Sequence, residues 1–188
     1  MRVNKGLMIA ATFDPTKRTS LITVADMCRK IEENSISLPL YQRDISWTLQ
    51  KCIDLLNYQL WGKAPVSPIS INVINTVDSA VPQVSFIDRE IISTIERGQY
   101  SVVDGQQRLT TNYKAYCNHD DFRNIVLDLG KGEFTEVRDS IRSNQIPVGI
   151  LLNKEDTKLF EYTKAKSALG SADVLSVLLQ VRSKMRNI

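Results

Sequence analysis

Histidine is almost absent from this chain: His119 stands alone. An HExxH metalloprotease helix or a histidine-based nuclease centre needs more than that, so neither is available. Cysteine is scarce too. Cys28, Cys52 and Cys117 are odd in number, and their spacing fits neither a CxxC zinc site nor a disulfide framework. Each falls in a helix-like segment beside apolar neighbours, which points to small core side chains in a reducing compartment. The chain has no GxSxG elbow and no GxxxxGK[ST] phosphate loop, which sets aside the serine hydrolases and P-loop NTPases. No apolar run approaches the roughly 18 residues of a membrane span. The stretch from Leu7 to Ala11 is too short for a signal-peptide core and lacks a cleavage pattern, so a cytoplasmic protein with no membrane partner is expected. Internal repeats and Pro- or Ser-rich linkers are missing. Charge of one sign is also lacking, since 24 basic against 21 acidic residues leave +3, too little to imply nucleic acid.

What is present is ordinary globular material. Apolar residues make up 43% and charged residues 24% of 188, and a chain of that length buries roughly 70% of its unfolded surface without a staple. Thr23 and Asp26 have capping-box spacing ahead of Val24, Met27, Cys28 and Ile31, which predicts a helix ending at Asn34-Ser35. A short strand at 36–38 is closed by Pro39. A helix over about 48–61 follows, with Gly62 just past its end. Residues 68–74 alternate as a half-buried strand. The β-branched run 84–95, a turn at Arg97-Gly98 and a strand at 100–103 predict a hairpin, with a helical turn at 90–96 as the alternative. A helix over about 105–117, a strand at 125–129 closed by Gly130-Lys131-Gly132, and a strand at 146–152 complete the middle of the chain.

Asn153 and Asp156 mark another helix start, and Gly170-Ser171 separates it from a last helix at 172–186. There Val174, Leu175, Val177, Leu178, Leu179 and Val181 cover over half the circumference, which suggests packing on two sides or against a second subunit. Residues 1–20 carry no strong period and are expected to form an arm or edge segment. The class is α+β: an arm at 1–20, a main domain at 21–152 and a C-terminal helical extension at 153–188.

Two segments carry chemical information. One runs from Leu38 to Trp47, between a strand and a helix. The other, Val102 to Thr111, passes from strand into helix through Asp104-Gly105-Gln106-Gln107-Arg108. Unpaired N–H groups at a helix start attract anions. Gly105 permits close backbone approach, Arg108 offers a bidentate fork, and Gln106 and Gln107 offer amide donors. Asp104 is suited to hold a divalent cation or orient a water. A plainer reading stands beside this one: Asp104 and Gln107 also have capping-box spacing, and Gly105 then only relieves a tight turn. Gln42-Arg43 likewise reads as a solvated loop pair, Trp47 as a core anchor, and His119 as a loop residue within Cys117–Asp121.

Together the two segments resemble one family. Pro39, Tyr41, Gln42, Arg43 and Trp47, followed by Asp104 to Thr111, are similar to the motifs of the N-terminal domain of GmrSD-type, modification-dependent restriction enzymes, related to the ParB/sulfiredoxin fold. The resemblance covers roughly residues 21–130. It departs at Asn57-Tyr58, where that family more often has Ser-Ile, and in lacking the histidines of a C-terminal nuclease domain. It implies a ParB/sulfiredoxin-like mixed sheet with flanking helices, binding and hydrolysing a nucleoside triphosphate in phage defence. The metal would be a divalent cation, Mg2+ by expectation. Arg108 would contact phosphate, and Asp104 would support metal or water. Gln106 and Gln107, with Gly105, Thr110 and Thr111, would position the nucleotide, and Gln42 and Arg43 would close the pocket. DNA, a nuclease partner chain or a second copy docked through the last helix are the implied partners. Metal-dependent DNA nicking and non-catalytic DNA binding or adaptor function are the alternatives. For DNA contact, Arg182, Lys184 and Arg186 are the candidates, set against a helix end whose cations favour the dipole.

Overall fold

The computed structural model describes residues 4–12, 20–44, 46–63, 68–77 and 80–188. Seven strands form two sheets among the described residues. β1 (Ile36–Pro39), β2 (Ser70–Val73), β3 (Gln83–Val84) and β4 (Tyr100–Asp104) make the first, in the order β2-β4-β1-β3. β1 and β4 are parallel, with Ile36 opposite Tyr100, while β2 and β3 are antiparallel edges. β5 (Ile125–Asp128), β6 (Glu133–Glu136) and β7 (Gln145–Pro147) form an antiparallel sheet with β5 central.

Helix starts follow local chemistry. α1 (Lys5–Thr12) lies inside the segment expected to be an arm, with Leu7 and Met8 exposed. α2 (Val24–Glu32) begins where the Asp26 N–H donates to Thr23 Oγ1 at 3.1 Å. α3 (Leu49–Leu60) is capped likewise by Thr48, and α4 (Gln106–Tyr116) follows β4 directly. Beyond the second sheet come α5 (Val148–Leu151), α6 (Thr157–Ala165) and α7 (Ala172–Arg186).

The apolar residues segregate into two cores. Met27, Ile31, Ile36, Leu38, Val84, Phe86, Val102 and Leu109 fill the space between α2, α4 and the first sheet. The larger core gathers Cys52, Ile53 and Leu56 of α3 with Ile125, Leu127, Phe134, Ile146, Leu159, Leu178 and Met185. α4 joins them, giving Leu109 to one and Ala115 to the other. Asp128 organises the second sheet: its carboxylate accepts from Gly130 N at 3.0 Å, Lys131 N at 3.1 Å, Asn144 Nδ2 at 3.2 Å and Gln145 Nε2 at 2.8 Å.

Two expectations fail locally. The run 84–95 does not pair with β4. Ser85 N–H donates to Glu90 O at 2.9 Å and Ile92 N–H to Gln83 O at 2.9 Å, so 83–92 folds back on itself, and β4 is flanked by β1 and β2. Strand 146–152 stops at Pro147, which has no N–H to continue the ladder, and α5 begins there. The helix start marked by Asp156 is present, with α6 beginning at Thr157, although no side chain caps it.

α7 buries a narrower stripe than its composition suggests. Leu178, Arg182 and Met185 are buried, while Val177 and Leu179 remain exposed. No helix among the described residues is long and apolar enough to cross a membrane.

Candidate functional site

Because β1 and β4 run parallel, their carboxyl ends lie at one edge of the sheet. The segment after Pro39 and the turn after Asp104 therefore meet, although sixty residues separate them. Gly105 makes that turn at φ 94°, in the left-handed region where L side chains are strained. A Cβ there would stand 2.9 Å from Ile69 Cγ1 and 3.2 Å from Arg108 Nη2. Glycine is thus required twice over, for its backbone angle and for its bareness.

Three glutamines join the two segments. Gln42 Nε2 donates to Val103 O at 2.6 Å, Gln106 Nε2 donates to Arg43 O at 3.1 Å, and Gln107 Oε1 accepts from Trp47 N at 3.3 Å. Between the segments lies an open cavity of about 340 Å³. Among the described residues it is lined only by 42–44, 46, 47 and 103–108. The sequence reading singled out these same two stretches.

The capping-box reading of Asp104 is not realised. Asp104 is the exposed last residue of β4, the N-cap of α4 is Gly105, and no side chain caps that helix. Gln107 turns to Trp47 instead. The first turn of α4 thus reaches the cavity with no side-chain acceptor of its own, beside Arg43, Asp44, Asp104 and Arg108. Arg108 Nη2 donates to Pro68 O at 3.1 Å, which draws its guanidinium over Gly105. Asp44 and Asp104 are the two carboxylates on the cavity wall, and no group of three or more His, Cys, Asp or Glu among the described residues forms a ready metal cluster.

Other expected site residues sit elsewhere. Thr110 and Thr111 are buried in α4 at 1% and 2% exposure, and neither lines the cavity. Thr111 Oγ1 donates to Gln107 O at 2.9 Å, while Thr110 Oγ1 has no hydrogen-bond partner among the described residues. Arg182 is buried and donates to Leu151 O and Asn153 O, each at 2.6 Å, and to Asp156. Burial holds its pKa below the ordinary arginine value against the pull of Asp156. Arg186 also pairs with Asp156, and Lys184 Nζ donates to Leu60 O at 2.7 Å. These three cations fasten α7 to the fold. His119 lies in a loop, its ring accepting from Asp121 N.

One residue beside the cavity was not singled out in the sequence. Arg89 reaches from the 83–92 turn, and its Nη2 donates to Gln42 O at 2.6 Å while Nε lies 3.4 Å from Asp44 Oδ1. Its place in a β-branched run hid it.

The chain matches the family model described as GmrSD restriction endonuclease, N-terminal domain, over residues 24–181. That region takes in both cavity segments and runs past residue 130, where the motif resemblance stops, well into α7. No curated protein is significantly similar to the chain.

Proposed function

The chain belongs to the GmrSD restriction endonuclease N-terminal domain family, a family of restriction-type defence systems, and from that premise we propose that its cavity binds a nucleoside triphosphate and hydrolyses it. The observation that carries this reading is the convergence of Arg43, Arg108 and the uncapped start of α4 on one cavity. A helix N-terminus and a guanidinium are complementary to phosphate oxygens. Trp47, which packs against the larger core and also lines the wall, would be the aromatic side chain to meet a base. The donor set also suits Mg2+, which takes one or two carboxylates from a protein and the rest of its shell from phosphate and water. Asp104 and Asp44 would hold it, and the ion would neutralise phosphate charge. In this reading catalysis rests on positioning and electrostatics: Arg108 and the helix amides fix the phosphates, and Asp104 orients the attacking water. Gln42, Gln106 and Gln107 act at one remove by tying the wall together. The ParB/sulfiredoxin-like reading of the fold belongs to the same proposal, as does action with DNA or a nuclease partner chain.

Family membership also favours a second reading, in which this cavity engages DNA phosphate and nicks the strand. Thermal unfolding with each NTP plus Mg2+ separates them. A ligand at 100 times its Kd stabilises by about 2.7 kcal/mol, and for the nucleotide reading that shift disappears in Arg108→Ala and Asp104→Ala. No shift with any NTP, together with metal-dependent relaxation of supercoiled plasmid, would leave the second reading.

A further inference from the structure

The segment carrying Arg43 and Trp47 is anchored at its ends, where Leu40 N donates to Pro82 O at 2.8 Å and Trp47 packs against the larger core, but its middle is exposed. Its neighbours Leu40 and Tyr41 are exposed, and Asp44 is 90% exposed at the side chain. From the β4 and α4 side, Gln42 and Gln106 tie it down. From the opposite side the side-chain tie to its middle is Arg89, whose Nη2 meets the Gln42 carbonyl at 2.6 Å and whose Nε faces Asp44. An ion pair to so exposed a carboxylate adds little, so the charge-assisted bond to the carbonyl carries the contact.

Arg89 is held there at a cost. Its backbone lies at φ 58°, a conformation suited to glycine or asparagine, and its Nη1 is buried without a hydrogen-bond partner among the described residues. Strain of this kind persists only where the surroundings over-determine it, and it collects at sites with a task. The turn around Arg89 closes through backbone bonds of Ser85 and Glu90, and Glu90 N–H donates to Ser85 Oγ at 3.1 Å. None of these bonds needs a guanidinium. Glycine would make the same turn without strain, so the arginine side chain must act outside it.

We infer that Arg89 is a positioning residue: it clamps the backbone at Gln42 so that Arg43 and Trp47 are presented to the cavity opposite Asp104–Arg108. The role assigned to Arg43 rests on the nucleotide reading; the clamp itself does not.

Amide hydrogen exchange of the peptide spanning 40–48, measured without ligand in wild type, Arg89→Lys, Arg89→Ala and Arg89→Gly, tests the clamp. Ala and Gly both delete the guanidinium, but only Gly relieves the backbone, so their melting midpoints differ. A clamp predicts that exchange at 40–48 rises by about tenfold or more in both, the size of a lost charge-assisted bond, whichever way the midpoint moves, with partial rescue in Lys. Unchanged exchange at 40–48, or a rise that tracks the midpoint and spreads over β5–β7, overturns it. NTP with Mg2+ forms a second arm. Weaker nucleotide binding in Arg89→Gly than in wild type, at a midpoint no lower, extends the role to the ligand. If wild type shows no nucleotide shift, the nucleotide reading fails, and the exchange result still decides the clamp.

Discussion

Gly98 and Gly105 both sit near φ 95°, at 97° and 94°, yet their surroundings differ completely. A Cβ on Gly98 would meet nothing within 4 Å, whereas one on Gly105 would press on Ile69 at 2.9 Å and on the Arg108 guanidinium at 3.2 Å. Gly98→Ala therefore measures backbone strain alone, about 1–2 kcal/mol. Gly105→Ala adds the cost of forcing atoms into filled space, about 1–3 kcal/mol more. For a chain of this size 1 kcal/mol is worth about 2–4 °C in Tm, so Gly98→Ala should lower the midpoint by a few degrees and Gly105→Ala by roughly twice as much or more. Denaturant titration alongside calorimetry gives both values. Equal losses in the two variants would refute the close approach of Ile69 and Arg108 to Gly105, and with it the account of how this turn is packed.

Other perturbations follow from single contacts. Asp128→Asn should cost about 2–3 kcal/mol, because a carboxylate accepting from two backbone amides and two side-chain amides is replaced by a group that must point a donor at one of them. Those bonds, Gln145 foremost, hold the Asp128 pKa below the ordinary 3.8. Its stabilisation is thus complete above that value and is lost as pH falls through the lower folded pKa; acid unfolding of wild type and variant should converge once pH has fallen below the folded pKa. Arg182→Ala should destabilise by about 2–4 kcal/mol by orphaning the Leu151 and Asn153 carbonyls, and a variant that melts normally but loses DNA binding would contradict the structural role. Burial pushes the Cys28 thiol up to about 12, so a thiol reagent at pH 8 should modify the partly exposed Cys117 of the native protein and reach Cys28 only after unfolding, as read by mass spectrometry.

The parts of the fold legible in the sequence were those set by local chemistry. Thr23 and Asp26 announced α2, and Gly130-Lys131-Gly132 announced the turn after β5, because caps and turns act over a few residues. Which strands pair is a non-local matter. The β-branched run after Gln83 looked like a partner for β4, but a sharp turn ending at Arg89 sends it back on itself, and arginine carries no turn signal. The cavity segments were legible because Gln-Arg and Asp-Gly-Gln-Gln-Arg are unusual strings. What those strings do was less so: all three glutamines bind the opposing backbone, and Asp104 does not cap. That Thr110, Thr111 and Arg182 are buried was not legible either, because burial is a property of the assembled core, which no motif of ten residues contains.

The two sheets also differ in how far along the chain their partners lie. Asp128 and Glu133 are joined across a short turn, whereas Ile36 meets Tyr100 across more than sixty residues. By chain statistics that longer closure costs about 2 kcal/mol more entropy, and the cavity exists only once it has been made. Whatever occupies the cavity would therefore bind chains whose most distant ends of sheet have already met. Occupancy would then be a seal on the entropically dearest step of the fold, felt in the first sheet far more than in the second.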